Sequence, residues 1–312
     1  MTRYRRLLNS LRLHIRQSYY LLHARDMQRY AAWLYRKKTG KRLDPDNPRD
    51  LNEWIIWLAF HTDTSQWSVL ADKLRVRSYV EEKGYGDMLV KLYGAWDNSS
   101  GIDFGSLPDR FILKANHGSD MTLAVTDRAA LDIRATRHTL DRWLHTPFGK
   151  LSAEPHYLAI PRRIIAEELL DPSMQDFQSS SLIDYKVWCF HGRPEYICVY
   201  HDRAPAQPVK RAVYDTLWQP HPEYSKPGDR HILPSDTPVP RPARLDLILK
   251  CAADLSSGFP QARVDFYIIG GRPIFGEITF TGAAGRMTSF SDRFLLHAGN
   301  MIKDGFNDAE PS

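Results

Sequence analysis

Apolar and polar residues alternate most clearly near the end of the chain, in the stretch Ala262–Gly282. A two-residue period is typical of a half-buried strand, and here it is formed by apolar Val264, Phe266 and Ile268 with Arg263, Asp265 and Tyr267 between them. Gly270-Gly271 can supply the positive φ of a tight turn, and Arg272–Ile278 is then the returning strand. The pattern predicts an antiparallel hairpin.

The front of the chain, from residue 4 to about residue 82, has the apolar periodicity of helices. The run Trp54–Phe60 predicts a largely buried helix with its N-cap at Asn52. A loop is predicted at Asp44–Pro48, where aspartate, asparagine and proline cluster.

Strands appear in the remainder of the chain. The predicted elements are a polar join at 97–105, a strand at Phe111–Lys114, a helix at Arg128–His145, a strand at Arg162–Leu170, a hairpin of Asp184–Phe190 and Glu195–Tyr200, and a helix at Asp292–Phe306. The segment Asp202–Arg244 is rich in proline and polar residues and predicts a long irregular stretch, which inside a compact domain is usually functional or mobile.

The composition is that of a globular protein with a sizeable core, since 43% of the 312 residues are apolar and 25% are charged. No run of about 18 uncharged apolar residues exists, which excludes a membrane-spanning helix, and the first residues lack the pattern of a secretory signal. Three cysteines without metal-ligand spacing favour a cytoplasmic location.

The net charge of +5 is unevenly distributed. Residues 1–42 hold twelve Lys and Arg against the single acid Asp26, so the rest of the chain is acidic overall. The first 24 residues also have helical apolar spacing, set by Leu8, Leu11, Ile15, Tyr19 and Leu22. Such a basic amphipathic helix can lie on an anionic membrane surface; the alternative is a helix packed on its own domain. Cations confined to one arm do not favour a nucleic-acid partner.

The predicted hairpin carries the candidate chemistry. Antiparallel pairing about the glycine turn brings Asp265 and Glu277 together at one end of it. Two carboxylates so close repel each other unless a cation lies between them, and one or two carboxylates with substrate phosphates usually hold Mg²⁺. The alternative is two strand acids that face solvent.

Two lysines are placed to neutralise phosphate. Lys114 ends a strand and is followed by the small polar loop 115–120, which can turn backbone N–H groups toward phosphate oxygens. The spacing of a Walker sequence is absent. Lys186 shares a strand face with Asp184 and can point toward the two hairpin acids. The acids Glu167 and Glu168, after an apolar strand, suit the ribose of a nucleotide. For each residue the alternative is an ordinary solvated charge.

In this order, these features resemble an ATP-grasp protein, and more closely the TupA-like ATP-grasp family named for teichuronopeptide biosynthesis. The resemblance runs from about Leu51 to Phe280, through LNEWIIWLAF, ADKLRVRSYVEEK, FILKANHGS, RIIAEELL, DYKVWCFHGRP and GFPQARVDFY. It implies an α+β fold in which two α+β subdomains with antiparallel sheets hold ATP, preceded by a helical region. The expected divisions are 1–44 (basic arm), 45–105 (helical region), 106–172 (first subdomain) and 173–312 (second subdomain).

The resemblance also implies a role for each candidate residue. Nucleotide binding falls to Lys114, His117, Gly118, Ser119, Glu167, Glu168 and Leu169; Mg²⁺ binding to Asp265, Glu277 and Thr279; and catalysis to Lys186, Arg263 and Arg286. Separately, guanidinium groups bind carboxylates in bidentate fashion, which makes Arg203, Arg211 and Arg286 candidates for holding an acidic substrate. Thr279 departs from the family, in which asparagine is usual at this position. A hydroxyl is a weaker metal ligand, so the departure puts a second metal position in doubt.

The chemistry implied is that of an ATP-dependent ligase, which joins a carboxylate to an amine through an acyl phosphate. The family name suggests a uronic acid or other acidic sugar of a cell-surface polysaccharide as one partner and an amino acid or amine as the other. Such an enzyme works in the cytoplasm, at the inner face of the membrane if the arm docks there. The alternatives are a kinase acting on a sugar hydroxyl and a non-catalytic membrane- or polysaccharide-binding protein.

Overall fold

A computed structural model describes residues 26–204 and 207–307, so the predicted membrane-binding helix within residues 1–24 lies outside the described residues. The fold is α+β, as predicted. The helices are α1 (Met27–Thr39), α2 (Leu51–His61), α3 (Ser65–Leu70), α4 (Val76–Glu82), α5 (Ile133–His145), α6 (Phe148–Ser152), α7 (Leu245–Ser256) and α8 (Asp292–Asn307). The strands are β1 (Leu92–Trp96), β2 (Phe111–Ala115), β3 (Thr122–Val125), β4 (Ile164–Glu167), β5 (Asp184–Phe190), β6 (Arg193–His201), β7 (Val209–Asp215), β8 (Ile232–Pro234), β9 (Gln261–Ile269) and β10 (Arg272–Thr279).

The strands form two sheets. The smaller has the order β1-β4-β2-β3, and the larger has the order β10-β9-β5-β6-β7-β8. Every pairing is antiparallel except that between β7 and β8. Each sheet has its own apolar core, formed around Phe111 and Ile164 in the smaller and around Val187 and Val264 in the larger.

The front helices α2, α3 and α4 pack onto the larger sheet as well as onto one another. Leu51 and Ile55 of α2 and Trp67 of α3 belong to the same core as the strands β5 and β9, and Trp67 stacks on Phe280 at the end of β10. Burial of this apolar face stabilises helices that are short by themselves. The same contacts fix the turn after α3 beside the hairpin β9–β10.

Three predicted boundaries are wrong. Asp50, and not Asn52, caps α2, because its carboxylate accepts the backbone N–H of Glu53 at 3.0 Å. Helix α5 begins at Ile133 rather than Arg128, after the N-cap Asp132. The segment 202–244 is not wholly irregular, since residues 209–215 and 232–234 within it form β7 and β8 at the edge of the larger sheet.

None of the helices in the described ranges has both the length and the apolarity that crossing a membrane requires. The three cysteines are buried and unpaired.

Candidate active site

A bulge in the hairpin β9–β10 brings the two predicted metal-binding acids opposite each other. Phe275 pairs with Phe266, the register then shifts, and Glu277 pairs with Asp265. The extra residue is Gly276, whose Cα lies so near the Asp265 carbonyl that an added Cβ would stand 3.0 Å from its oxygen. A bulge re-aims the following side chain, and here it turns Glu277 toward the face that carries Asp265.

Asp265 is held by two cations. Arg263 donates to its carboxylate from Nε at 2.7 Å and from a terminal nitrogen at 2.8 Å, and Lys186, which faces Asp265 across the β5–β9 pair, donates through Nζ. Lys186 also lies 3.4 Å from Asp184. Burial favours the neutral amine, but the two carboxylates outweigh it and raise the pKa of Lys186.

Glu277 is the more accessible of the two acids, with 39% of its side chain exposed against 3% for Asp265. Lys73 lies 3.8 Å from one of its oxygens, and the Thr279 hydroxyl donates to the other at 2.9 Å. Burial raises the pKa of Glu277, but Lys73, Lys186 and Arg263 together lower it to about 2. The carboxylate is therefore ionised and faces the cleft at neutral pH.

The opposite wall of the cleft comes from the smaller sheet. Lys114 of β2 donates to Glu167 of β4 at 2.8 Å, and Arg77 of α4 donates to the other Glu167 oxygen at 3.2 Å. Arg77 also donates to the Val90 carbonyl at 2.8 Å, and this hydrogen bond links α4 to the segment before β1. All three charged groups are largely buried, so this cluster is a fixed part of the wall.

The two walls enclose a cleft of about 310 Å³, within the range of about 300–1,000 Å³ that is typical of small-molecule sites. Most of the predicted site residues line it: Lys114, Gly118, Ser119, Glu167, Glu168, Leu169, Lys186, Arg203, Asp265 and Glu277. Arg203 reaches it from an exposed position, through an ion pair of 3.0 Å with Asp184. Gly118 has no room for a side chain, because an added Cβ would stand 2.5 Å from Met121.

His117 points away from the cleft, although the resemblance implies that it belongs to the phosphate loop. Its ring is buried, and neither ring nitrogen has a hydrogen-bond partner among the described residues. Burial, with a smaller contribution from Arg162, lowers the pKa of His117 to about 4. The side chain is therefore neutral and buried at neutral pH, while Gly118 and Ser119 line the cleft.

The remaining predicted arginines lie on the far side of Asp265. Arg263 and Arg286 line a second cavity of about 200 Å³, and Arg286 also donates to the Ser152 carbonyl at 3.0 Å. Arg211 is only 1% exposed and does not line the cleft between the two sheets. Its guanidinium lies 3.7 Å from the centre of the Phe290 ring and donates to the Ser289 hydroxyl and carbonyl.

Two cations of the cleft were missed by the sequence analysis. Lys73, between α3 and α4, donates to the Gly118 carbonyl at 2.7 Å and lines the cleft together with Arg77. Its neighbour Asp72 accepts a hydrogen bond of 2.8 Å from Asn116. The segment between α3 and α4 thus holds the loop 115–120 in place. The available signal was the motif ADKLRVR, whose Lys73 and Arg77 are four residues apart.

Replacing Lys73 with glutamine should weaken the binding of Mg-ATP about 10- to 100-fold. The variant removes a positive charge from the cleft and the charged hydrogen bond to Gly118, and such bonds contribute about 1.5–3 kcal/mol. Titration calorimetry measures the loss. The control is Lys83→Gln, which removes an exposed lysine that packs over Tyr79 at the end of α4. Unchanged affinity in Lys73→Gln would contradict the role of Lys73.

The same variant should also raise the pKa of Glu277. A carboxylate with a lowered folded-state pKa contributes stability that is present above its unfolded pKa and lost as the pH falls through the folded value. For Glu277 that loss runs from the ordinary glutamate range down to about pH 2. Without Lys73 the loss should still begin in the ordinary glutamate range, but it should be smaller and end at a higher pH, which acid unfolding of the two proteins would reveal.

The residues present fit Mg-ATP. Among the described residues no group of three or more His, Cys, Asp or Glu side chains is arranged to hold a metal ion by itself, but Mg²⁺ usually takes only one or two carboxylates and completes its shell with phosphates and water. Glu277 offers an accessible carboxylate beside Asp265, and Lys73, Lys114 and Lys186 face the same cleft. The Thr279 hydroxyl accepts from Arg263 at 3.1 Å and donates to Glu277, so it links the Arg263 guanidinium to the Glu277 carboxylate.

Comparison with solved structures finds ATP-grasp ligases. The D-alanine–D-alanine ligase of Bacillus anthracis in complex with ATP has a TM-score of 0.47 and 12% identity, over 79% of this chain and 67% of that chain. The corresponding ligase of Helicobacter pylori has a TM-score of 0.44 and 11% identity, over 85% and 68%. The L-amino acid ligase of Bacillus licheniformis has a TM-score of 0.39 and 11% identity, over 69% and 41%.

None of the curated proteins compared with the chain matches it. The family comparison is decisive, because it covers most of the sequence, including every strand of both sheets. The TupA-like ATP-grasp family matches residues 53–303, and the chain therefore belongs to this family of ATP-grasp ligases, as its motifs predicted.

Proposed function

We propose that the protein is an ATP-dependent ligase that joins the carboxylate of a uronic acid or other acidic sugar to an amine or amino acid through an acyl phosphate. The supporting observation is the convergence of Lys73, Lys114 and Lys186 with Asp265 and Glu277 on one cleft between two sheets. Carboxylate activation requires positioning and charge neutralisation rather than a protein nucleophile, and this cleft supplies both.

The chain's residues divide this work between the two walls. Mg-ATP, when bound, supplies the phosphoryl group that makes a carboxylate oxygen a good leaving group. Lys114 and Lys73 would neutralise phosphate oxygens from the smaller sheet and the front helices, and Gly118 and Ser119 would offer them backbone N–H groups. Glu168 and Leu169 would contact the nucleoside. Asp265 and Glu277 would hold the metal, with Thr279 positioning Glu277, and Lys186 would neutralise the phosphoryl group that is transferred.

The carboxylate substrate is best accommodated in the second cavity. Arg263 lines this cavity and at the same time pairs with Asp265 and Glu277, so its guanidinium joins the two sites. Guanidinium groups bind carboxylates in bidentate fashion. Arg286, on the same wall, is the second cation suited to that carboxylate. A carboxylate held there would contact Arg263, which is itself paired with both metal-binding acids.

The basic arm supports a location at the inner face of a membrane. The cations and apolar residues within residues 1–24 suit an anionic lipid surface. We propose that this segment brings the enzyme to acidic sugar or polysaccharide precursors assembled there.

A screen for ATP-dependent condensation tests the ligase proposal. The purified protein, Mg-ATP, a panel of uronic acids and a panel of amines should release ADP and phosphate and form an amide, which mass spectrometry detects. The control reaction omits the amine. A stable phosphate ester instead of an amide would identify a sugar kinase, and the absence of Mg-ATP binding would favour a non-catalytic protein. Either result would contradict the proposal.

A further inference from the structure

The side chain of Asn116 is fully buried at the start of the loop 115–120, and both polar atoms of its amide have partners. Its Nδ2 donates to Asp72 at 2.8 Å and to the Pro161 carbonyl at 2.9 Å, and its Oδ1 accepts the backbone N–H of Arg163 at 2.7 Å. The backbone N–H of Asn116 donates to the Arg163 carbonyl at 3.0 Å. The amide therefore joins three segments: the turn between α3 and α4, the loop itself and the residues before β4.

Asp72, the partner of this amide, is a buried carboxylate that is held by uncharged donors. Its Oδ1 accepts the Asn116 amide at 2.8 Å and the backbone N–H groups of Leu74 and Arg75 at 2.9 and 3.4 Å. Burial raises the pKa of Asp72, and the Leu74 N–H and the Asn116 amide oppose that rise. A buried charge without hydrogen bonds is costly, so these donors hold Asp72 in one position.

The backbone and the side chain of Lys73 both contact the loop 115–120. The backbone N–H donates to the Asn116 carbonyl at 3.2 Å, and Nζ donates to the Gly118 carbonyl at 2.7 Å. The same Nζ lies 3.8 Å from a carboxylate oxygen of Glu277 in the hairpin β9–β10. A displacement of Asn116 would therefore move the loop and the lysine that reaches the other wall of the cleft.

We propose that Asn116 is a positioning residue for the nucleotide. Neither Asn116 nor Asp72 lines the cleft, whereas Lys73 and Gly118 do. The contact between Asn116 and Asp72 fixes Lys73 and Gly118 relative to each other, and it thereby sets the affinity of the cleft for nucleotide phosphates. A shift of about 1 Å in the groups that position a substrate can cost about 100-fold. This inference rests on the proposed ligase function and names a residue that acts without touching the nucleotide.

Titration calorimetry with Mg-ADP on the full chain tests the inference, with Asn116→Asp as the variant. The new carboxylate would lie against that of Asp72, where like charges repel, and both hydrogen bonds that the amide donates would be lost. We expect the affinity for Mg-ADP to fall at least about tenfold. Adding Asp72→Asn to this variant should recover at least about threefold of the loss, because an amide can again donate to the carboxylate at the other position.

Asn52→Asp is the matched control, because it makes the same chemical change at another buried asparagine. The Asn52 amide donates to the Met287 carbonyl and accepts the Met287 N–H, both at 2.9 Å, and neither residue lines the cleft. Chemical denaturation should show a loss of stability in both variants. The affinity for Mg-ADP should stay within about threefold of the original in Asn52→Asp alone, whereas a purely structural role of Asn116 would leave the affinity unchanged in both.

If Asn116→Asp does not fold, Asn116→Ala is titrated instead, since it removes the amide without adding a charge, and it should weaken Mg-ADP binding in the same way. Retained affinity in the variant at Asn116, or an equal loss of affinity in Asn52→Asp, would overturn the inference. An unaltered protein that fails to bind Mg-ADP would contradict the ligase proposal itself. The two failures are therefore distinguishable, and neither measurement requires turnover.

Discussion

Glu277→Gln should lower the rate of ATP-dependent turnover about 100- to 1,000-fold, which is the loss typical when one fixed group that stabilises transition-state charge is removed. Glutamine has almost the same size, and the glutamate side chain is partly exposed, so the fold should be kept. The variant removes the carboxylate that faces the cleft, and the ion pair between Arg263 and Asp265 remains. Release of ADP, followed over a range of Mg²⁺ concentrations, measures the effect.

Glu82→Gln is the control for this experiment, because it makes the same chemical change at an exposed position on α4, a residue that does not line the cleft. The Mg²⁺ concentration needed for half-maximal rate should rise in Glu277→Gln and stay constant in Glu82→Gln. A Glu277→Gln protein that keeps full turnover at low Mg²⁺ would show that the metal is held elsewhere.

Local patterning was sufficient to predict the hairpin at the centre of this site. The alternation in Arg263–Ile268 and the turn at Gly270-Gly271, where φ is +56° and +71°, gave the correct pairing of strands. The bulge at Gly276 was not predicted, because Ile274 and Phe275 are both apolar and hide the change in alternation that it causes. The bulge is what brings Asp265 and Glu277 opposite each other, since without the extra residue Glu277 would pair with Val264.

Roles that depend on side-chain direction could not be predicted from the sequence. His117 and Gly118 are adjacent, but only Gly118 lines the cleft, because the His117 ring is buried in the protein. Arg211 was predicted to bind the acidic substrate from within an irregular segment. It lies instead on β7, an edge-side strand whose sequence VKRAVYD is too polar to stand out as a strand.

Contacts between distant parts of the chain were equally hidden. Lys73 reaches both Glu277 and the Gly118 carbonyl because α3 and α4 pack against the larger sheet. Its ion-pair partner is about two hundred residues away in the sequence, so no periodicity could reveal it. The helical region is therefore part of the site, although its sequence shows only buried helices and scattered cations.

Lys186→Met should lower both the free energy of unfolding and the rate of turnover. Lys186 lies between Asp184 and Asp265, whose side chains are largely buried. Removing one partner of a buried ion pair costs about 3–5 kcal/mol, because it leaves an uncompensated charge. Arg263 and Arg203 remain on the two carboxylates, so we expect a loss near the lower limit. Chemical denaturation measures it, and turnover should fall by at least about 100-fold.

A second variant separates the structural effect of Lys186 from its catalytic one. Lys186→Met combined with Asp184→Asn removes one of the two acids that repel each other across the missing lysine. The double variant should therefore recover much of the free energy of unfolding, while its turnover stays as low as that of Lys186→Met. Recovery of turnover together with stability would mean that Lys186 only neutralises the buried acids. Recovery of stability alone is the result expected of a lysine that faces the transferred phosphoryl group.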